Sequence, residues 1–301
     1  MNFLTLSIDW EDFGQLYGKY HHNVIPAPRD GAIERQTAII LDMLDETDNK
    51  ATFFILGMLA SYKSDLVKKI AARGHEIALH GQSHDAMFTL NPATARRDLE
   101  DSNNLITDII GKKVYGYRAP FFSIKKTNLY LMEILTELGI LYDSSIFPVQ
   151  LPRYGIADFD ENDAVYMLPN GTEIVELPLT VSKYFGKKLP VSGGGYLRLM
   201  PRWLTKKVFR DLAEKNTNGM IYMHPYEFDC LPLDVSVNYP DTVPRHAIMN
   251  FANNLRWNLF RRSVPGKIKY LLEKYKFITC IERVIDVKSK GVSPKLLGCQ
   301  E

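Results

Sequence analysis

Cysteine is scarce in this chain. Cys230, Cys280 and Cys299 are widely scattered and form no C-x-x-C spacing. That excludes a disulfide framework and a thiolate metal centre, and leaves buried or idle thiols. An excess of one charge is also missing, with 37 Lys and Arg against 35 Asp and Glu for a formal net charge of +2. With neither a basic run nor a basic tail, nucleic acid and an anionic membrane surface are both disfavoured as the main partner. The local group Arg256, Arg261, Arg262 and Lys267 reads as a solvated helix face. Long hydrophobic runs are absent too: no stretch approaches the ~18 apolar residues of a spanning helix. The opening run ends at Asp9 with no basic residue ahead of it, too short for a secretion signal. These absences predict a cytoplasmic protein with no membrane span, and they leave its oligomeric state open.

Repeats, low-complexity tracts and linkers are lacking as well. What remains is an alternation of short apolar runs and helical patterns, the signature of βα units around a parallel sheet. Strands are expected at Phe3 to Ile8, Thr52 to Leu56, Glu76 to Leu79, Val114 to Arg118, Ile174 to Leu177 and Met220 to Met223. Helices are expected at Ile33 to Leu44, Leu59 to Arg73, Pro92 to Ile110 and up to Leu138. Six or more units predict an α/β fold, a distorted (β/α) barrel over residues 1–244, with a loop-rich excursion at 144–200. Residues 245–301 read as a C-terminal helical extension packed on the barrel: two helices, a short strand at Phe277 to Thr279 and a last turn.

Parallel folds of this kind bind ligands beyond the carboxyl ends of their strands. There the sequence turns abruptly polar four times: Asp9-Trp10-Glu11-Asp12, His80-Gly81-Gln82-Ser83-His84, Arg118-Ala119-Pro120-Phe121 and His224-Pro225-Tyr226-Glu227. The spacing of His80 and His84 puts both imidazoles on one side of a helical turn, where they can ligate one cation. Strand alternation sends Asp9 and Glu11 to the same face, with Asp12 as a further ligand candidate if the strand has already turned. Two histidines and one carboxylate leave a divalent metal open positions for water and a carbonyl. Asp9 suits a general base and Glu11 a ligand, or the reverse. His224 can protonate a leaving nitrogen, and Arg118 can orient Asp9 through a bidentate pair.

These four ordered runs resemble the polysaccharide deacetylases with a NodB homology domain, the fourth carbohydrate esterase family. Ala51-Thr52-Phe53-Phe54 and Gly74-His75-Glu76-Ile77-Ala78 are similar to that family's second and third strands. Gly193-Gly194-Gly195-Tyr196-Leu197-Arg198 and the C-terminal helices are similar to a subgroup found with bacterial surface-polysaccharide assembly. The resemblance implies a distorted barrel, a divalent metal held by one acid and two histidines, Asp9 as base and His224 as acid. The metal expected is zinc, with cobalt, nickel or manganese as alternatives, and the substrate a carbohydrate carrying N-acetylhexosamine. Two departures stand out: Gly81 replaces the commoner Ser or Thr, and the acid run leaves Glu11 and Asp12 as alternative ligands. Pro120, Phe121, Phe122, Trp203, Tyr226 and the run Pro190 to Arg198, with Tyr196 and Arg198 in it, are the candidates for substrate contact, core packing being the competing role for Phe121 and Phe122. Two rival readings are a deformylase or amidase acting on a formamido sugar or small cyclic amide, and a carbohydrate-binding protein with a dead metal site. The second of these would have no use for His224.

Overall fold

The computed structural model describes residues 3–22, 25–28, 31–151, 154–184, 187–214, 219–233, 235 and 244–297; Cys299 lies outside them. The first strand, β1 (Leu4–Trp10), is buried at every position, as a parallel strand covered on both faces must be. After it come α1 (Phe13–His22), α2 (Ala32–Glu46), β2 (Thr52–Ile55), α3 (Gly57–Ala60), α4 (Ser64–Ala72) and β3 (Glu76–Leu79). Then follow α5 (Pro92–Ile110), β4 (Gly116–Tyr117), α6 (Leu131–Glu137) and β5 (Tyr142–Asp143). The excursion contains β6 (Ala164–Met167), β7 (Glu173–Glu176) and the hairpin β8 (Val181–Tyr184) with β9 (Lys187–Pro190). The chain ends with α7 (Gly194–Leu199), α8 (Arg202–Glu214), β10 (Gly219–Met223), α9 (Pro244–Asn258), α10 (Val264–Lys274), α11 (Cys280–Ser289) and β11 (Lys295–Leu296).

Nine strands form one curled sheet in the order β10-β1-β2-β3-β4-β5-β7-β6-β11. Strands β10, β1 to β5 and β7 run parallel, and β6 is antiparallel to β7. Among the described residues β10 and β11 do not pair, so the α/β barrel is distorted and open at that seam. The outer edge of β10 is instead satisfied from the excursion. The Tyr222 amide donates to the Ser192 carbonyl at 2.8 Å and the Met220 amide to Thr180 Oγ1 at 2.6 Å. A row of backbone donors facing the core would otherwise be left unmet.

Local signals set most helix starts. Asn91 accepts from the Thr94 amide and Pro92 occupies the first turn of α5, while Thr279 and Glu282 cap α11 reciprocally. Three expectations need correction. The helix expected over 59–73 is two helices, α3 and α4, separated by a turn at residues 61–63. The tail holds three helices rather than two. Its expected strand at Phe277 is a single bridge to Leu4, lying beside β1 below the start of β2. Helix α1 was not foreseen at all.

The last helix is fixed by a buried ion pair between Arg283 on α11 and Asp163 just before β6, with Nε to Oδ2 at 2.6 Å. Removing one member of such a pair strands the other without water. Arg283→Met is expected to lower stability by about 3 kcal/mol in urea denaturation while keeping the wild-type far-ultraviolet spectrum. A loss below about 1 kcal/mol would mean that the pair is not what holds α11.

Candidate active site

Alternation along β1 sends Asp9 and Glu11 to one side, and both carboxylates are buried at its carboxyl end. The fully buried Arg118, just past β4, meets Asp9 with Nη1 to Oδ1 at 2.6 Å. The pair is single rather than bidentate because the other donors are taken: Nη1 also donates to Ser7 Oγ, Nε to the Ser144 carbonyl and Nη2 to Ser144 Oγ. The guanidinium lies 4.1 Å from the centre of the Phe54 ring.

The histidine pair is brought together differently from expectation. Residues 80–84 form an irregular loop, not a helical turn, and Gly81 (φ +74°) and His84 (φ +58°) both adopt left-handed backbone. At Gly81 even a methyl group would lie 2.9 Å from Asp98 Oδ2. That carboxylate, from α5, accepts from the Gln82 and Ser83 amides and from Ser83 Oγ. Asp98 therefore supplies the hold on the loop, with Gly81 standing where the family motif has Ser or Thr.

The tautomers follow from the partners. His80 Nδ1 lies 2.8 Å from the Arg118 carbonyl, which only accepts, so Nδ1 carries the proton and Nε2 presents a lone pair. The Tyr20 hydroxyl donates to the His84 carbonyl, so its oxygen accepts from His84 Nδ1 at 2.9 Å, and that Nε2 is bare as well. Both lone pairs face Glu11 Oε2, at 3.6 Å for His80 and 2.8 Å for His84. Burial disfavours the charged forms of both Glu11 and His84. For Glu11 the neighbouring imidazoles overcome it and hold the carboxyl far below its usual range, whereas His84 stays lowered. Three buried acceptor atoms within 4.8 Å of one another, and a Glu11 Oε2 with no hydrogen-bond donor, are a group that can hold a metal ion. The two shorter separations suit a single ion with bonds of about 2.1 Å.

Asp12 is not part of this group. It accepts from the Gln15 amide at 2.8 Å and caps α1, the helix that the sequence reading overlooked. On the other side of Glu11, His224 Nε2 lies 3.4 Å from Oε1, and its Nδ1 faces Glu227 Oε2 at 3.3 Å. Burial pushes His224 down, but Glu11, Glu227 and Asp9 outweigh it and lift the imidazole to about 9. A cation on Glu11 would cancel that residue's share and leave Glu227 and Asp9. Glu227 fits because Gly194 has no side chain: a Cβ there would stand 1.8 Å from Oε2.

The cleft above these groups measures about 550 Å³, within the range of small-ligand sites. Its walls are aromatic. Tyr226 stacks on His224 at 5.0 Å, Phe13 and Trp257 meet edge to face, and Phe121 packs against His84 and Tyr20. Thus Phe121, the buried Phe122 and Tyr226 line the cleft, while Pro120, Tyr196, Arg198 and Trp203 do not. Pro120 is buried beneath the histidine loop. Tyr196 meets the Tyr154 hydroxyl, Arg198 donates to the Arg256 and Trp257 carbonyls, and Trp203 faces solvent. The sequence reading missed Tyr20, Asp98, Glu227 and the cleft wall from α9. Of these only Glu227, three residues beyond His224, carried a local signal.

Residues 29–141 match the polysaccharide deacetylase family model, and residues 144–285 match a domain of unknown function (DUF3473). The first match holds His80, His84 and Arg118, and the second holds His224. The chain is 31% identical over 105 residues to a peptidoglycan-N-acetylglucosamine deacetylase of Bacillus cereus, covering 35% of this chain and 38% of that protein. It is 34% identical over 107 residues to a chitin deacetylase of Pestalotiopsis, covering 34% and 35%. The chain thus spans less than half the length of these curated relatives. A Mycobacterium smegmatis structure assigned to the polysaccharide deacetylases superposes with a TM-score of 0.63 at 18% identity, over 99% of this chain and 94% of that one, a likeness of fold. Over residues 29–141 the chain is similar to the polysaccharide deacetylases. The residues within that match, His80, His84 and Arg118, converge with Asp9, Glu11 and His224 from outside it.

Behind Arg118 sits a carboxyl pair, Asp143 of β5 and Glu176 of β7, paired in register and both buried. Burial and the Asp143 charge push Glu176 well above the usual range, so it retains a proton at neutral pH. Because the folded state holds this proton after the unfolded chain has lost it, stability falls as pH rises beyond the ordinary value of 4.5. Glu176→Gln keeps a donor and removes the titration. Urea denaturation at pH 5 and pH 8 is expected to show a smaller decline for the variant, and an equal decline would place the proton elsewhere.

Proposed function

We propose that this chain is a metal-dependent hydrolase that removes N-acetyl groups from an N-acetylhexosamine-containing polysaccharide or its precursor. The observation that carries this reading is the convergence of two bare imidazole nitrogens and one carboxylate oxygen, flanked by Asp9 on one side and His224 on the other. Glu11, His80 and His84 would hold a divalent cation, zinc being the one their donor set suits best. Once bound, it would supply Lewis-acid polarisation and ease deprotonation of water.

The residues account for the rest. Asp9 takes the proton of the attacking water on the oxygen that Arg118 leaves free, and the guanidinium keeps that carboxylate turned toward the cleft. His224, charged by its carboxylate neighbours, carries the proton that the leaving nitrogen needs, since an amide nitrogen cannot depart as an anion. Glu227 holds its Nδ1 and so points Nε2 into the cleft. Tyr226, Phe13 and Trp257 offer flat apolar faces for a sugar ring. The relatives named for deacetylation of peptidoglycan N-acetylglucosamine and of chitin support a substrate of this class. A binding protein would need neither the oriented base nor the acid, which favours catalysis over the dead-site reading.

His80→Ala and His84→Ala are each expected to lose metal and turnover with the fold retained. Elemental analysis of the purified variants decides this, and full metal content in both would end the ligand assignment. Asp9→Asn is expected to retain metal but little activity, whereas Glu11→Gln is expected to lose metal; reversed phenotypes would exchange the two roles.

For His224→Ala the informative comparison is between two substrates. Hydrolysis of an N-acetyl amide is expected to fall by roughly 10²–10⁴-fold, while an activated O-acetyl ester, whose leaving group needs no proton, is hydrolysed nearly as before. Equal losses on both would mean that His224 is not the acid.

A further inference from the structure

The near-zero net charge averages two unlike parts. Residues 177–210 and 242–272 together contain 14 Lys and Arg and no Asp or Glu. The rest of the chain therefore has 23 bases against 35 acids, a formal charge of −12. The two basic segments are neighbours in the fold. Arg198 at the end of α7 donates to the carbonyls of Arg256 and Trp257 at the end of α9. Lys267 of α10 donates to the carbonyls of Leu197 and Met200, and Arg202 and Lys206 of α8 lie over Tyr270 of α10. This unit forms one wall of the cleft through Asn253, Arg256 and Trp257.

Away from the cleft the same unit exposes large apolar side chains. Ile248 and Phe251 on α9 are 69% and 70% exposed, and Trp203 on α8 is 67% exposed, with Leu199, Leu255 and Phe260 also open. Ile248, Phe251 and Leu255 follow helical spacing along one stripe. Exposed on the same unit are Arg202, Lys206 and Arg262, none of them ion-paired among the described residues. Apolar side chains, a tryptophan and unneutralised bases on one unit match the chemistry of an anionic bilayer surface. A second copy of the chain fits less well, because a two-fold contact would set these unpaired bases against one another. A soluble polyanion would engage the bases and leave the apolar stripe in water.

We propose that this face docks on an anionic lipid bilayer and holds the cleft mouth next to the membrane. The inference does not rest on the deacetylase reading. No spanning helix is involved, and none of the described helices is long and apolar enough to be one.

The test is co-sedimentation of the full chain with vesicles of phosphatidylcholine alone and of phosphatidylcholine with phosphatidylglycerol in equal parts. Binding is expected only to the anionic vesicles, with a blue shift of tryptophan emission that Trp203→Phe removes. Each base near an anionic surface contributes roughly fivefold to affinity. The triple variant Arg202→Glu, Lys206→Glu, Arg262→Glu is therefore expected to bind at least about 100-fold more weakly. Ile248→Ser with Phe251→Ser is expected to lose the apolar component and bind more weakly in high salt. Unchanged thermal unfolding of these variants shows that the fold is intact. Three results would overturn the proposal: no binding to anionic vesicles, equal binding to neutral ones, or a micromolar dimer in sedimentation velocity that Phe251→Ser disperses.

Discussion

Arg118 carries a charge that the fold has removed from water entirely, and the site is arranged around its donors. A guanidinium in that position must find acceptors for its N–H groups. Here they come from two strands: Asp9 and Ser7 on β1, and both the carbonyl and the hydroxyl of Ser144 past β5. Its own carbonyl then accepts from His80 and sets which nitrogen of that ring is bare. One residue thus orients the proposed base, Asp9, and determines the protonation of a candidate ligand. Its aromatic floor, Phe54 on β2, completes the enclosure.

The same logic extends outward. Each functional side chain is held by a group that has no chemistry of its own to perform. Asp98 ties the histidine loop, Tyr20 closes on both the ring and the carbonyl of His84, and Glu227 turns His224. The Asp143–Glu176 pair anchors the 143–146 segment through Ser145 Oγ, which accepts from the Ala119 amide next to Arg118. Such outer contacts are the usual means of fixing ring orientation at metal sites. They also hold a strained backbone in place: His84, Phe121 and Phe122 all sit at positive φ.

The C-terminal segment has two faces and two environments. One face of α9 sends Trp257 into the cleft against Phe13. The opposite face leaves Ile248 and Phe251 in solvent. Arg261 secures the segment by donating to the carbonyls of Tyr226, Asp229 and Leu231, so the basic residue that looked like part of a solvated surface is an internal fastener. Net charge, being a sum, carried none of this.

What the sequence by itself determined is whatever depends on period and order. Two-residue alternation put Asp9 and Glu11 on one face, and apolar runs turning polar marked four strand ends. The βα rhythm called for a curled parallel sheet. Those features are local, and a strand's pleat fixes them wherever the strand lies. What only the tertiary structure decided depends on contacts between residues far apart in the chain. Asp12 lost its candidacy as a ligand to a helix start that its neighbours hardly announce. Arg198 left the expected substrate surface for carbonyls 58 and 59 residues away. The glycines at 193 and 194 proved to make room for Tyr222 and Glu227 rather than for a ligand. Asp98 took over the hold on the histidine loop from another helix. In each case a hydrogen bond or a steric limit between distant segments outweighed the short-range pattern, and no spacing within the sequence records which distant partner will arrive.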